Sequence, residues 1–73
     1  MNAEEFQNAV TEELNKIKSR PPMVGQYEHA IREVAEKTSN QTLGFLAKNY
    51  IPQIKYIEET DRFEYSLIPK KSI

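Results

Sequence analysis

The sequence predicts an α+β fold, a small domain in which three short helices are followed by a C-terminal β-hairpin. The first observation is a change of period. Apolar residues recur at helical spacing over residues 3–19, 27–37 and 41–50, then at alternate positions over residues 53–68. The second is where the breakers fall: Pro21-Pro22 after the first pattern, Thr38-Ser39-Asn40 after the second and Pro52 after the third. The third is size. At 73 residues there is room for a single domain, because a chain this short buries only about 60% of the surface it exposes unfolded.

In the first segment Phe6, Val10, Leu14 and Ile17, with Ala9 beside them, form one apolar stripe. Asn2 is placed to cap this helix, and Glu5 stands three residues on, where its carboxylate reaches back to the cap amide. Glu13 falls at the edge of the stripe. Acids early (Glu4, Glu5) and bases late (Lys16, Lys18) suit the helix dipole. Arg20-Pro21-Pro22 ends the helix, since proline lacks the amide and disfavours helix in the residue before it. Residues 20–26 are then expected as a loop, with Gly25 free to take a positive φ.

The second segment places Tyr27, Ala30, Ile31, Val34 and Ala35 on one face, flanked by Glu28–Arg32 and Glu33–Lys37 as acid-first i,i+4 pairs. Thr38, Ser39 and Asn40 supply the turn and the next cap. The third helix runs through Leu43, Leu46, Ala47 and Tyr50 and is expected to stop at Pro52. Beyond it Ile54 and Tyr56, then Phe63, Tyr65 and Leu67, alternate around a polar turn from Glu58 to Arg62, the mark of a hairpin. A two-stranded hairpin is marginal alone in water, so it must pack on the helices. Residues 69–73 are expected as a frayed tail.

Composition narrows the function. A 38% hydrophobic fraction that includes three Phe and four Tyr suffices for a folded core, while the absence of cysteine excludes disulfides, thiolate metal sites and cysteine nucleophiles. No basic start followed by an apolar run and no stretch of roughly 20 apolar residues is present, so a soluble cytoplasmic protein without a membrane partner is expected. Net charge is −1, against a uniformly basic nucleic-acid binder. The distribution is less even: Lys37, Lys48 and Lys55 occupy a stretch to Ile57 without an acid, after which Glu58, Glu59, Asp61 and Glu64 follow. Catalysis finds no foothold. His29 is the only histidine, lies opposite the apolar stripe of its helix and has no serine partner at short spacing. Adjacent carboxylates diverge on a helix or strand, and two glycines cannot make a phosphate-cradling loop. The expectation is no enzyme, no cofactor, no metal and no small-molecule substrate.

From Tyr27 to Ile68 the chain resembles the winged helix superfamily. Ile31, Val34 and Ala35 precede the Thr38-Ser39-Asn40 turn, Leu43 and Leu46 follow it, and Phe63-Glu64-Tyr65-Ser66-Leu67 closes the wing. The resemblance implies a recognition helix over residues 41–50 and a wing around residues 58–62. It implies no target, since the fold hosts DNA binders, RNA binders and protein-interaction modules.

With Leu43, Leu46, Ala47 and Tyr50 inward, the third helix turns Gln41, Phe45, Lys48 and Asn49 outward. Gln and Asn pair bidentately with adenine, Lys contacts guanine or phosphate, and Ser39 and Thr42 suit the nucleic-acid backbone. This is a nucleic-acid-binding set on paper. Phe45 points two further ways, to a partner protein that takes an aromatic anchor or to an ordinary core if the first helix covers it. Gly44 beside it costs about 1 kcal/mol relative to alanine in a helix. The four tyrosines are expected mainly in the core and His29 on the surface.

Two function classes follow. One is a small regulator that binds duplex DNA through Ser39, Gln41, Thr42, Lys48 and Asn49, as a homodimer because one recognition helix buries little surface. The other is an adaptor or inhibitor that binds a protein partner through Phe45, or through the acidic hairpin residues Glu58, Glu59 and Asp61 as a nucleic-acid mimic.

Overall fold

The computed structural model describes residues 1–72 and has the predicted α+β order: α1 (Ala3–Asn15), α2 (Val24–Ala35), α3 (Asn40–Asn49), β1 (Tyr50–Ile57), β2 (Arg62–Pro69) and a short 3₁₀ turn at Lys70–Ser72. The strands form one antiparallel hairpin. Among the described residues no helix is long and apolar enough to cross a membrane.

The cap of α1 is the expected one: the Glu5 N–H donates to Asn2 Oδ1 at 2.8 Å, and the Asn2 N–H donates to Glu5 Oε1 at 3.0 Å. The helix ends at Asn15 and not at residue 19. Its ladder tightens there into i→i−3 bonds, Lys16 N–H to the Glu13 carbonyl and Ile17 N–H to that of Leu14, which satisfy the last carbonyls and stop propagation. Ile17 lies beyond the end yet still packs on the core.

α2 starts earlier than residue 27, because Gln26 supplies the cap that periodicity does not reveal. Its Oε1 accepts the Met23 N–H at 2.8 Å while its own N–H donates to the Met23 carbonyl at 2.9 Å. Gly25 is therefore helical and not a left-handed loop residue. At the other end Lys37 and Thr38 donate to the carbonyls of Val34 and Ala35 in a closing turn, so the helix proper stops at Ala35. The pairs Glu28–Arg32 and Glu33–Lys37 do not form; Glu33 instead meets His29 at 3.4 Å, on the exposed side of α2.

Ser39 caps α3, its Oγ accepting the Thr42 N–H at 3.2 Å. The helix passes straight into β1 at Tyr50, so the hairpin begins three residues before position 53 and Pro52 lies inside a strand. Pairing explains this. Lys55 faces Glu64, Ile54 faces Tyr65 and Pro52 faces Leu67. The backbone of Phe63, Tyr65 and Leu67 turns away from β1 toward α1. By antiparallel alternation their partners Tyr56, Ile54 and Pro52 also turn away from the ladder, where proline's missing N–H removes no bond. Pro69 ends β2 instead of opening a frayed tail, and position 73 lies outside the described residues.

The core gathers Phe6, Val10 and Leu14 from α1, Ala30 and Val34 from α2, Leu46 from α3, and Phe63 and Tyr65 from β2. Phe6 meets Tyr65 and Tyr27 meets Phe63 edge to face, at 6.1 and 5.8 Å between ring centroids. A polar stripe of α1 joins the same strand. Asn15 accepts from the Phe63 N–H (2.8 Å) and donates to its carbonyl (2.9 Å), Thr11 accepts from Tyr65 (3.1 Å), and Gln7 accepts from Leu67 (2.8 Å). Spaced at i, i+4 and i+8, these side chains do for one edge of β2 what a neighbouring strand would do.

Candidate partner-binding surface

α3 is held on the core by buried Leu46 and half-buried Leu43, and its outward face carries Gln41, Phe45 and Lys48. Ala47, expected in the core stripe, is exposed, because the hairpin leaves that side of the helix open. Phe45 is 59% exposed, which removes the expectation that the first helix covers it. The ring is not loose: it meets Tyr50 edge to face at 6.5 Å, and Tyr50 is fixed as the first residue of β1.

The five residues expected to contact nucleic acid are brought onto α3 and its N-cap but are not equally available. Ser39 Oγ accepts the Thr42 N–H and donates to Thr42 Oγ1 at 2.9 Å, and Asn49 Nδ2 donates to the Phe45 carbonyl at 2.8 Å. Those three side chains satisfy their own helix. Gln41 and Lys48 project on either side of Phe45 without such ties.

The alternative set is divided. Phe45 stands at the Tyr50 end of β1, whereas Glu58 and Glu59 follow its Ile57 end. A strand of eight residues lies between, roughly 23 Å at the usual rise. Phe45 and the acidic turn therefore do not form one patch. Asp61 has work of its own: it takes a left-handed φ of 52° in the turn, lies 3.2 Å from Arg20 Nε and accepts the Tyr56 hydroxyl at 2.5 Å. That hydroxyl bond and the Arg20 charge hold the Asp61 carboxyl below its ordinary range, and the same bond raises Tyr56. Burial raises Tyr65, so the core reading holds there, but Tyr56 is 43% exposed and departs from it.

Pattern reading misses the apolar row on β1. Ile51, Ile54 and Tyr56 are each well exposed, the last two on the face that Phe63 and Tyr65 bury, because β1 overhangs the helices. Two open concavities lie along this side. One, of about 280 Å³, is walled by Leu43, Ala47, Tyr50 and Pro52; the other, of about 350 Å³, by Pro21, Pro22, Tyr27 and Tyr56. The signal for this row was Pro52 itself, since a proline within a period-two run marks an edge strand.

Compared with family models, curated proteins and solved structures, the chain matches none of them.

Proposed function

We propose that this chain is a non-enzymatic interaction module that docks a partner protein on the Phe45 end of α3. The observation that carries the reading is Phe45 itself: a phenyl ring more than half exposed, edge to face with Tyr50, in the wall of an open concavity that it shares with Met1, Gln41, Thr42 and Leu46. Rigid aromatic groups beside a hollow are what protein interfaces use as anchors. Leaving such a ring in water serves no purpose for the fold. The polar groups around it are mostly committed to their own helix, which suits a rim better than base readout.

A second reading, a duplex-DNA-binding regulator, is favoured by the uncommitted Gln41 and Lys48 and by the acid-free stretch from Lys37 to Ile57. Against it stand a single cation on the exposed face of α3 and four acids at the hairpin, which leave little counterion release to drive binding.

Immobilised chain, incubated with lysate of its native cell and read by quantitative mass spectrometry, separates the two. A specific protein retained by wild type and by Lys48→Ala, lost with Phe45→Ser and unaffected by nuclease supports docking. Retention that Phe45→Ser leaves unchanged, or that nuclease abolishes together with Lys48→Ala, overturns it.

A further inference from the structure

The two edges of the hairpin are treated differently. The edge of β2 is satisfied by Gln7, Thr11 and Asn15, whereas among the described residues no element pairs with the outer edge of β1. That edge offers the N–H groups of Ile54 and Tyr56 and the carbonyls of Pro52, Ile54 and Tyr56, by the alternation set out above. All three residues are exposed. An open strand edge is a template for another strand, and proteins usually blunt it or use it.

We infer that β1 pairs antiparallel with β1 of a second copy, about a two-fold axis at Ile54, joining two hairpins into one four-stranded sheet. The sequence Ile51-Pro52-Gln53-Ile54-Lys55-Tyr56-Ile57 is close to self-complementary about its middle residue. In this register Ile54 faces Ile54, Pro52 faces Tyr56, Ile51 faces Ile57 and Gln53 faces Lys55, so apolar meets apolar on both faces and no like charges oppose. The Ile54 pair exchanges both backbone bonds, and on either side the Tyr56 N–H reaches the Pro52 carbonyl. Pro52 costs only the return bond at each end.

Other two-fold registers fit worse. An axis at Lys55 sets two lysines directly opposite, which is destabilising in a sheet. An axis at Pro52 places two residues without N–H at the centre. An axis at Gln53 puts each Lys55 against Ile51. Isologous contact about Ile54 therefore selects a second copy over an arbitrary strand, and it closes as a dimer because each chain has one open edge to give. The contact would cover Ile51, Ile54 and Tyr56, the largest exposed apolar groups of the strand. It uses none of the α3 residues of the docking reading and stands or falls separately.

Light scattering and sedimentation of the full chain from micromolar to millimolar concentration test it. Wild type is expected to approach twice the monomer mass, and Ile54→Lys, an exposed position where folding is retained, to stay monomeric. Gln53 faces neutral Ser66 within its own hairpin but Lys55 across the axis. Gln53→Glu should tighten the dimer severalfold and Gln53→Lys should loosen it severalfold. Phe45→Ser should leave the mass unchanged. A monomer throughout, a dimer indifferent to Ile54→Lys, or two Gln53 variants that shift in the same direction would overturn the inference.

Discussion

Arg20 shows how one side chain ties a loop to a hairpin. Its guanidinium lies 4.8 Å over the Phe63 ring and its Nε 3.2 Å from Asp61, while Tyr56 donates to the same carboxylate. Because Asp61 is held below its ordinary value when folded, its contribution to stability is present above that value and is lost as pH falls through the lower folded one. The stability difference between wild type and Asp61→Asn should therefore be largest near neutrality and shrink below about pH 4, as read by denaturant titration. Tyr56 titrates in the opposite sense: its elevation is caused first by the Asp61 bond, so ultraviolet titration of Asp61→Asn should show one tyrosine returning toward its ordinary range. Gly44 is a separate case. A Cβ built there meets nothing within 4 Å, so Gly44→Ala should raise stability by about 1 kcal/mol through helix propensity alone. Phe45→Ala should cost under about 1 kcal/mol, whereas Phe63→Ala, buried between Tyr27 and Tyr56, should cost about 3–5 kcal/mol.

At the scale of elements, α1 carries two stripes at once, an apolar one that fills the core and a polar one that closes the edge of β2. Asn15→Ala strips the partner from both backbone groups of Phe63, in a half-buried place that water reaches poorly. A loss of about 1–3 kcal/mol and faster amide exchange at Phe63 than at Lys55 are the expected results. This pairing also marks what the sequence made legible and what it hid. Apolar period located the three α-helices and both strands but not the 3₁₀ turn at Lys70–Ser72, since burial of Phe6, Val10, Leu14, Val34 and Leu46 is what sets that period. It erred at the ends. Gln26 caps α2 from within the helix, Lys16 and Ile17 close α1 with short-range bonds, and Pro52 is harmless on an outward-facing strand position, none of which alters the spacing of apolar residues. The i,i+4,i+8 ladder of Gln7, Thr11 and Asn15 was visible as spacing but reads as an ordinary solvated face until β2 is placed beside it. Of the site, Phe45 was recognisable and the exposed row on β1 was not, because exposure of Ile54 and Tyr56 depends on how far the hairpin overhangs the helices.

Taken whole, the molecule carries on α3 and β1 four of the seven large apolar residues that stand exposed among the described residues, the others being Met1, Met23 and Val24. Among the described residues, α1, α2 and β2 provide seven of the eight that form the buried core, with Leu46 as the single one from α3, and β1 contributes none. The elements least engaged in the core carry Phe45, Ile51, Ile54 and Tyr56 to the surface, and the result is a division between a folding half and a presenting half. Its most direct test is a photo-crosslinking amino acid placed at position 45 of the full chain in its native cell, with position 32 on the exposed side of α2 as the control. A discrete protein adduct is expected from position 45 and none from position 32. Equal adducts from both positions, or adducts to nucleic acid alone from position 45, would contradict it.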